Sequence, residues 1–181
     1  MIVFNRGILR HRREAGMFSI SEIIDLAIQI ETNGEDTYRK GASQTRDPSI
    51  ASLLRWLADQ EKEHIEWFRN LKSRVDAGPV TAQLDDAAHE ILRSVLGDQT
   101  FSLADAEVSK QDNVIELLKV SLEYEKDTIV FYEMIMEFVE DEETKGHLGA
   151  IVLEEENHVK ALRDYLDGTE RMVRIDENGG I

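Results

Sequence analysis

From Ser19 onward, apolar residues recur every three or four positions, the repeat of a helix that buries one face. The first run predicts a helix over 19–44. Asp47-Pro48 then marks a new start: aspartate suits the N-cap, and proline costs nothing at the first helical position, where the N–H has no partner anyway. A second helix is expected from there to about 76, ahead of Gly78-Pro79. A third is expected over 112–140. Asp141 should cap a fourth that ends near Gly168, a residue suited to the position just past a helix. The stretch 168–181 has no periodicity and reads as a frayed tail. Residues 1–18 read as an N-terminal tail before a natural start near Met17, which leaves 19–167 as a single helical domain.

The segment between the second and third helices, 73–111, has 39 residues, too many for a structureless loop inside a compact domain. Leu84, Ala88, Ile91, Leu92, Val95 and Leu96 share one helical face, so a short extra helix is expected within it. The fold class is therefore all-α: an antiparallel four-helix bundle made of two helix pairs joined by one long crossover. That connectivity is ferritin-like rather than simple up-and-down.

An internal match at an offset of 94 residues places the chemistry. It pairs Glu31 with Glu125, Tyr38 with Tyr132, Asp47 with Asp141, Glu61 with Glu155, His64 with His158 and Arg69 with Arg163. The matches fall on the inward stripes. The first helix presents Ile20, Ile24, Ala27, Glu31, Gly34 and Tyr38, and the third presents Val114, Leu118, Ser121, Glu125, Thr128 and Tyr132. The second gives Leu54, Leu57, Glu61, His64, Phe68 and Leu71, and the fourth Leu148, Ile151, Glu155, His158, Leu162 and Tyr165. Four glutamates and two histidines are thus expected in the interior, with apolar side chains on either side.

Composition narrows what such a cluster can be. The chain carries 37 acidic residues against 21 Lys plus Arg, a formal net charge of −16, and no cysteine. The acidity argues against nucleic acid or an anionic membrane as a partner. Without cysteine there is no disulfide, thiolate zinc site or iron–sulfur cluster. No run of about 18 apolar residues occurs and no secretory signal is legible, so a cytoplasmic protein is expected. Burying four carboxylates together is prohibitive unless something neutralises them. Two divalent cations balance four carboxylates beside two neutral imidazoles, and Glu-x-x-His sets both ligands on one helix face. Each cation can take one imidazole and one terminal carboxylate while two carboxylates bridge. Such mostly hard-oxygen ligands suit iron or manganese, with zinc a possible substitute.

The helices read AIQIETNGEDTYRK, LADQEKEHIEWF, SLEYEKDTIVFYEMI and IVLEEENHVKAL. Together they resemble the rubrerythrin family of the ferritin-like superfamily over roughly residues 19–167. The resemblance implies a di-iron carboxylate centre, with Glu31 and Glu125 as terminal ligands, Glu61 and Glu155 bridging, and His64 and His158 each holding one iron. It also implies that Tyr38 and Tyr132 support the carboxylates, although either could be a core aromatic bonded to a neighbouring helix. Two departures follow. Rubrerythrin proper has a Cys-rich rubredoxin domain that feeds electrons in; this chain has no cysteine, so a separate donor protein is implied. The family also carries an extra glutamate three residues past the terminal ligand of the third helix, where this chain has Thr128.

Other acid and histidine positions read differently. Asp86 and His89 form an incidental acid-x-x-His pattern, Glu35 falls on the rim of the cluster, and His11 and His147 fall on the surface. Small residues at 27, 34, 121 and 128 are expected to leave room for a small oxidant. The leading expectation is a non-haem di-iron or di-manganese oxidoreductase that reduces peroxide or oxygen, probed by mixing the di-ferrous protein with either. A homodimer is expected. Two alternatives stay open here: an iron-handling ferroxidase or storage protein, and a metal-binding protein without redox turnover.

Overall fold

A computed structural model describes residues 20–77 and 114–178. Among the described residues there are four helices and no strand: α1 Ile20–Gln44, α2 Pro48–Asp76, α3 Val114–Phe138 and α4 Glu142–Asn178. The expected tail 1–18 and the expected crossover helix lie outside the described residues, as do Asp86, His89 and His11.

Two three-residue turns make the hairpins. Asp47 caps α2 by accepting from the backbone N–H of Ser49 at 2.8 Å and of Ile50 at 3.3 Å. With Pro48 at the first position, the start of α2 has few unsatisfied donors left. Asp141 is the repeat mate of Asp47 and does the same for α4, accepting from the Thr144 N–H at 2.8 Å and the Thr144 hydroxyl at 2.5 Å. The Ser21 hydroxyl, at the start of α1, donates to Asp76 at the end of α2 over 3.1 Å, and Lys72 pairs with Asp25. These contacts make α1 and α2 antiparallel. A turn of the same length joins α3 to α4.

Within each pair the backbones run close together, whereas close backbone approaches between the pairs are few. Large side chains fill that wider seam. Tyr38, Tyr132, Phe68 and Phe131 are all fully buried, and the core runs through Leu54, Leu57, Leu118, Leu148 and Leu162. Every stripe residue anticipated above is buried except Ile20 and Tyr165, which are half-buried, and Val114, whose side chain lies outside the described set.

One boundary differs from expectation. α4 does not end near Gly168 but continues through it to Asn178. A Cβ at Gly168 would meet no atom within 4 Å, so this glycine answers neither a close approach nor a left-handed turn. A glycine inside a helix costs about 1 kcal/mol against alanine, too little to stop a helix by itself.

Candidate metal centre

The six polar residues of the four stripes meet in the seam between the helix pairs. Glu31 and Glu155 are 0% exposed, Glu61 and Glu125 1%, His64 3% and His158 0%. They form two overlapping groups. Glu31, Glu61, His64 and Glu155 each place one donor atom within 4.8 Å of the others, and so do Glu61, Glu125, Glu155 and His158. Glu61 and Glu155, one from each Glu-x-x-His pair, are common to both. Glu31 with His64 belongs to one group only, and Glu125 with His158 to the other.

Both imidazoles face inward through Nδ1. His64 Nδ1 lies 3.0 Å from Glu155 and 3.4 Å from Glu31. His158 Nδ1 lies 2.8 Å from Glu155, 3.7 Å from Glu61 and 3.8 Å from Glu125. Behind the carboxylates, the tyrosine hydroxyls cross between the halves. Tyr38 donates to Glu125, and Tyr132 donates to Glu31. Each tyrosine thus serves the glutamate of the opposite pair, not the one two turns away on its own helix.

Without a metal, protons carry the compensation. Burial, then the charges of Glu31, Glu155 and Glu125, push the Glu61 carboxyl well above its ordinary range. Burial and Glu155 push Glu125 up to about 8 against the pull of His158. Burial opposes charge on the imidazoles as well, but Glu31 and Glu155 prevail at His64, up to about 12, and Glu125 and Glu155 at His158, up to about 10. For Glu155, burial is outweighed by hydrogen bonds from His158 and His64, which hold it far below the usual carboxylate range. Burial and the glutamates raise Tyr38 and Tyr132, so both hydroxyls keep their protons and act as donors.

These proton arrangements do not satisfy the site. Glu61 Oε1 and Glu125 Oε2 are buried with no hydrogen-bond partner. Buried polar atoms are rarely left so, and here they are carboxylate oxygens converging with inward imidazole nitrogens. Oxygen and imidazole donors in two groups with two shared carboxylates fit a pair of divalent cations.

Comparison with known sequences decides the family: the sequence profile of rubrerythrin matches residues 22–166. The chain belongs to the rubrerythrin family. Two solved structures share the fold of this chain. One is from Thermotoga maritima, provisionally described as a ferritin-like diiron-carboxylate protein, 20% identical with a TM-score of 0.64, covering 86% of this chain and 99% of that one. The other, a hypothetical protein from Pyrococcus furiosus, is 22% identical with a TM-score of 0.65, covering 83% of this chain and 89% of that one. Curated proteins give no significant match. In this rubrerythrin-family chain the two Glu/His groups have the geometry of a di-iron carboxylate redox centre.

Several neighbours of the centre carry no clear sequence signal. Tyr124 is buried and donates to the Ile30 carbonyl, its own repeat mate, which ties the two helix pairs together. Glu154 bonds His64 from outside the cluster, and Trp56 meets the ring of His158. The room at Gly34 is not open space: a Cβ there would sit 3.2 Å from the Glu61 carboxyl carbon, so the glycine makes way for Glu61. Thr128 is buried and its hydroxyl donates to the Tyr124 carbonyl at 3.0 Å, so it turns back onto its own helix. Glu35, as expected, stays out of the cluster and pairs with Arg39 at 2.8 Å. His147 is exposed, with its ring stacked on Trp67.

Proposed function

We propose that Glu31, Glu61, His64, Glu125, Glu155 and His158 hold two iron ions. In this reading Glu31 and His64 serve one ion, Glu125 and His158 the other, and Glu61 and Glu155 serve both. Manganese and zinc suit the same donors and are the substitutes to test. The observation that carries the reading is the sharing of Glu61 and Glu155 between two buried Glu/His groups. When bound in the ferrous state, such a pair supplies the two electrons that, with two protons, reduce one peroxide to two waters.

The chain's own contribution is placement. Tyr132 and Tyr38 hold Glu31 and Glu125 by hydrogen bonds from behind, so these carboxylates keep their orientation without drawing water in. The buried seam, sealed by Phe68, Phe131 and the tyrosines, keeps bulk solvent away from the donors. Thr128 offers no carboxylate, so the donor set stays at six. Electrons come from a separate donor protein, because a cysteine-free chain has no rubredoxin-type iron of its own. A homodimer and a cytoplasmic location complete the proposal; among the described residues no helix is long and apolar enough to cross a membrane.

Stopped-flow mixing of the di-ferrous protein with peroxide, and separately with oxygen, tests the reading. Oxidation of both irons faster than that of free ferrous ion is expected. Oxidation no faster than free ferrous ion overturns it.

A further inference from the structure

The internal repeat duplicates the six inward residues, yet it does not duplicate what stands behind the two imidazoles. We propose that Glu154 makes the two metal positions unequal, so that the position formed by Glu31 and His64 fills before the one formed by Glu125 and His158. The inference rests on the metal centre proposed above and adds an order of loading to it.

His64 turns Nδ1 into the cluster and presents Nε2 to Glu154 Oε2 at 2.8 Å. An imidazole that donates its Nε2–H to a carboxylate is fixed in the tautomer whose Nδ1 lone pair points inward. The carboxylate also strengthens that lone pair as a donor and locks the ring against rotation. Glu154 itself stands outside the cluster. Its side chain is 51% exposed, next to Glu155 on α4, and it reaches across the seam to α2. It is a positioning residue, because it acts only through His64.

His158 has the same inward Nδ1 and a different rear. Its Nε2 is buried without a hydrogen-bond partner. The ring instead meets Trp56, with centroids 5.1 Å apart and planes at 87°. By the repeat, the counterpart of Glu154 is Gln60, an uncharged residue that makes no bond to His158 Nε2. One imidazole is therefore fixed and strengthened by a carboxylate, and the other is only packed against an indole. Carboxylates behind ligating histidines change metal affinity by about 10- to 100-fold.

Cobalt(II) titration of the full-length, metal-free protein is the test, followed by d–d absorption and by competition with a chromophoric chelator. The wild type should take up two ions in sequence, the second about tenfold or more weaker than the first. Glu154→Ala should weaken the first event by about 10- to 100-fold and shift the absorption of the first equivalent only. Glu154→Gln should fall between, since its amide oxygen still accepts the Nε2–H. Gln60→Glu should strengthen the second event. Equal affinities in the wild type, or Glu154→Ala with the wild-type first affinity and spectrum, would overturn the inference and leave the metal centre standing. A wild type that binds no cobalt, or a Glu61→Ala, Glu155→Ala double variant that binds like the wild type, would overturn both.

Discussion

Replacing Glu61 by glutamine should stabilise the metal-free protein and weaken the metal-loaded one. Glu61 is 1% exposed, and its carboxyl is held well above the ordinary value of 4.5 by burial and by Glu31, Glu155 and Glu125. Between pH 4.5 and the raised value, the folded chain keeps a proton that the unfolded chain has released. Stability then falls as pH rises, by about 1.4 kcal/mol per pH unit for one such group. The penalty is therefore small just above pH 4.5 and grows through that window. Glutamine has the same shape and no proton to lose, so that slope disappears. Chelator-treated Glu61→Gln should therefore melt above the wild type at pH 7 and nearly level with it at pH 5, the gap widening by about 3–6 °C per pH unit within the window. Adding manganous ion should reverse the order. The wild type gains about 2.7 kcal/mol per site when free metal is about 100 times the dissociation constant, whereas the variant has lost a shared carboxylate. Thermal denaturation at the two pH values, with and without metal, measures all four quantities. A metal-free variant less stable than the wild type at pH 7, or a gain that does not shrink at pH 5, would refute the reasoning.

Three further outcomes follow from the same geometry. Tyr132→Phe removes the hydroxyl that donates to buried Glu31, and should lower metal-free stability by about 1–3 kcal/mol in urea unfolding at pH 7. Manganous ion added to metal-free protein in weak buffer should release more than one proton per chain at pH 7, as read by an indicator dye. Glu61, His64 and His158 all hold protons that bound metal must displace, so metal affinity should fall as pH falls. Gly168→Ala should raise stability by about 0.5–1 kcal/mol, since its Cβ would meet nothing, whereas Gly34→Ala should push Glu61 aside and weaken metal binding in a calorimetric titration.

The sequence by itself determined the helices, their caps and the six inward residues. Helical periodicity is a property of one segment, so spacing alone puts Glu31, Glu61, His64, Glu125, Glu155 and His158 on the buried faces of their helices. The aspartate caps at Asp47 and Asp141, the first followed by Pro48, are equally local. Where a competing local signal was weak, the reading failed: Gly168 resembles a stop, but α4 continues through it because nothing there requires a left-handed turn. Only the tertiary structure decided how the helices are offset and rotated against one another. That choice sends the Tyr38 and Tyr132 hydroxyls to the opposite helix pair and gives Gly34 over to the Glu61 side chain. It also sets Glu154 behind His64 and Trp56 beside His158. In the sequence Glu154 is one more acid on a solvated face; its contact depends on an axial offset between α2 and α4 that no spacing within either helix records.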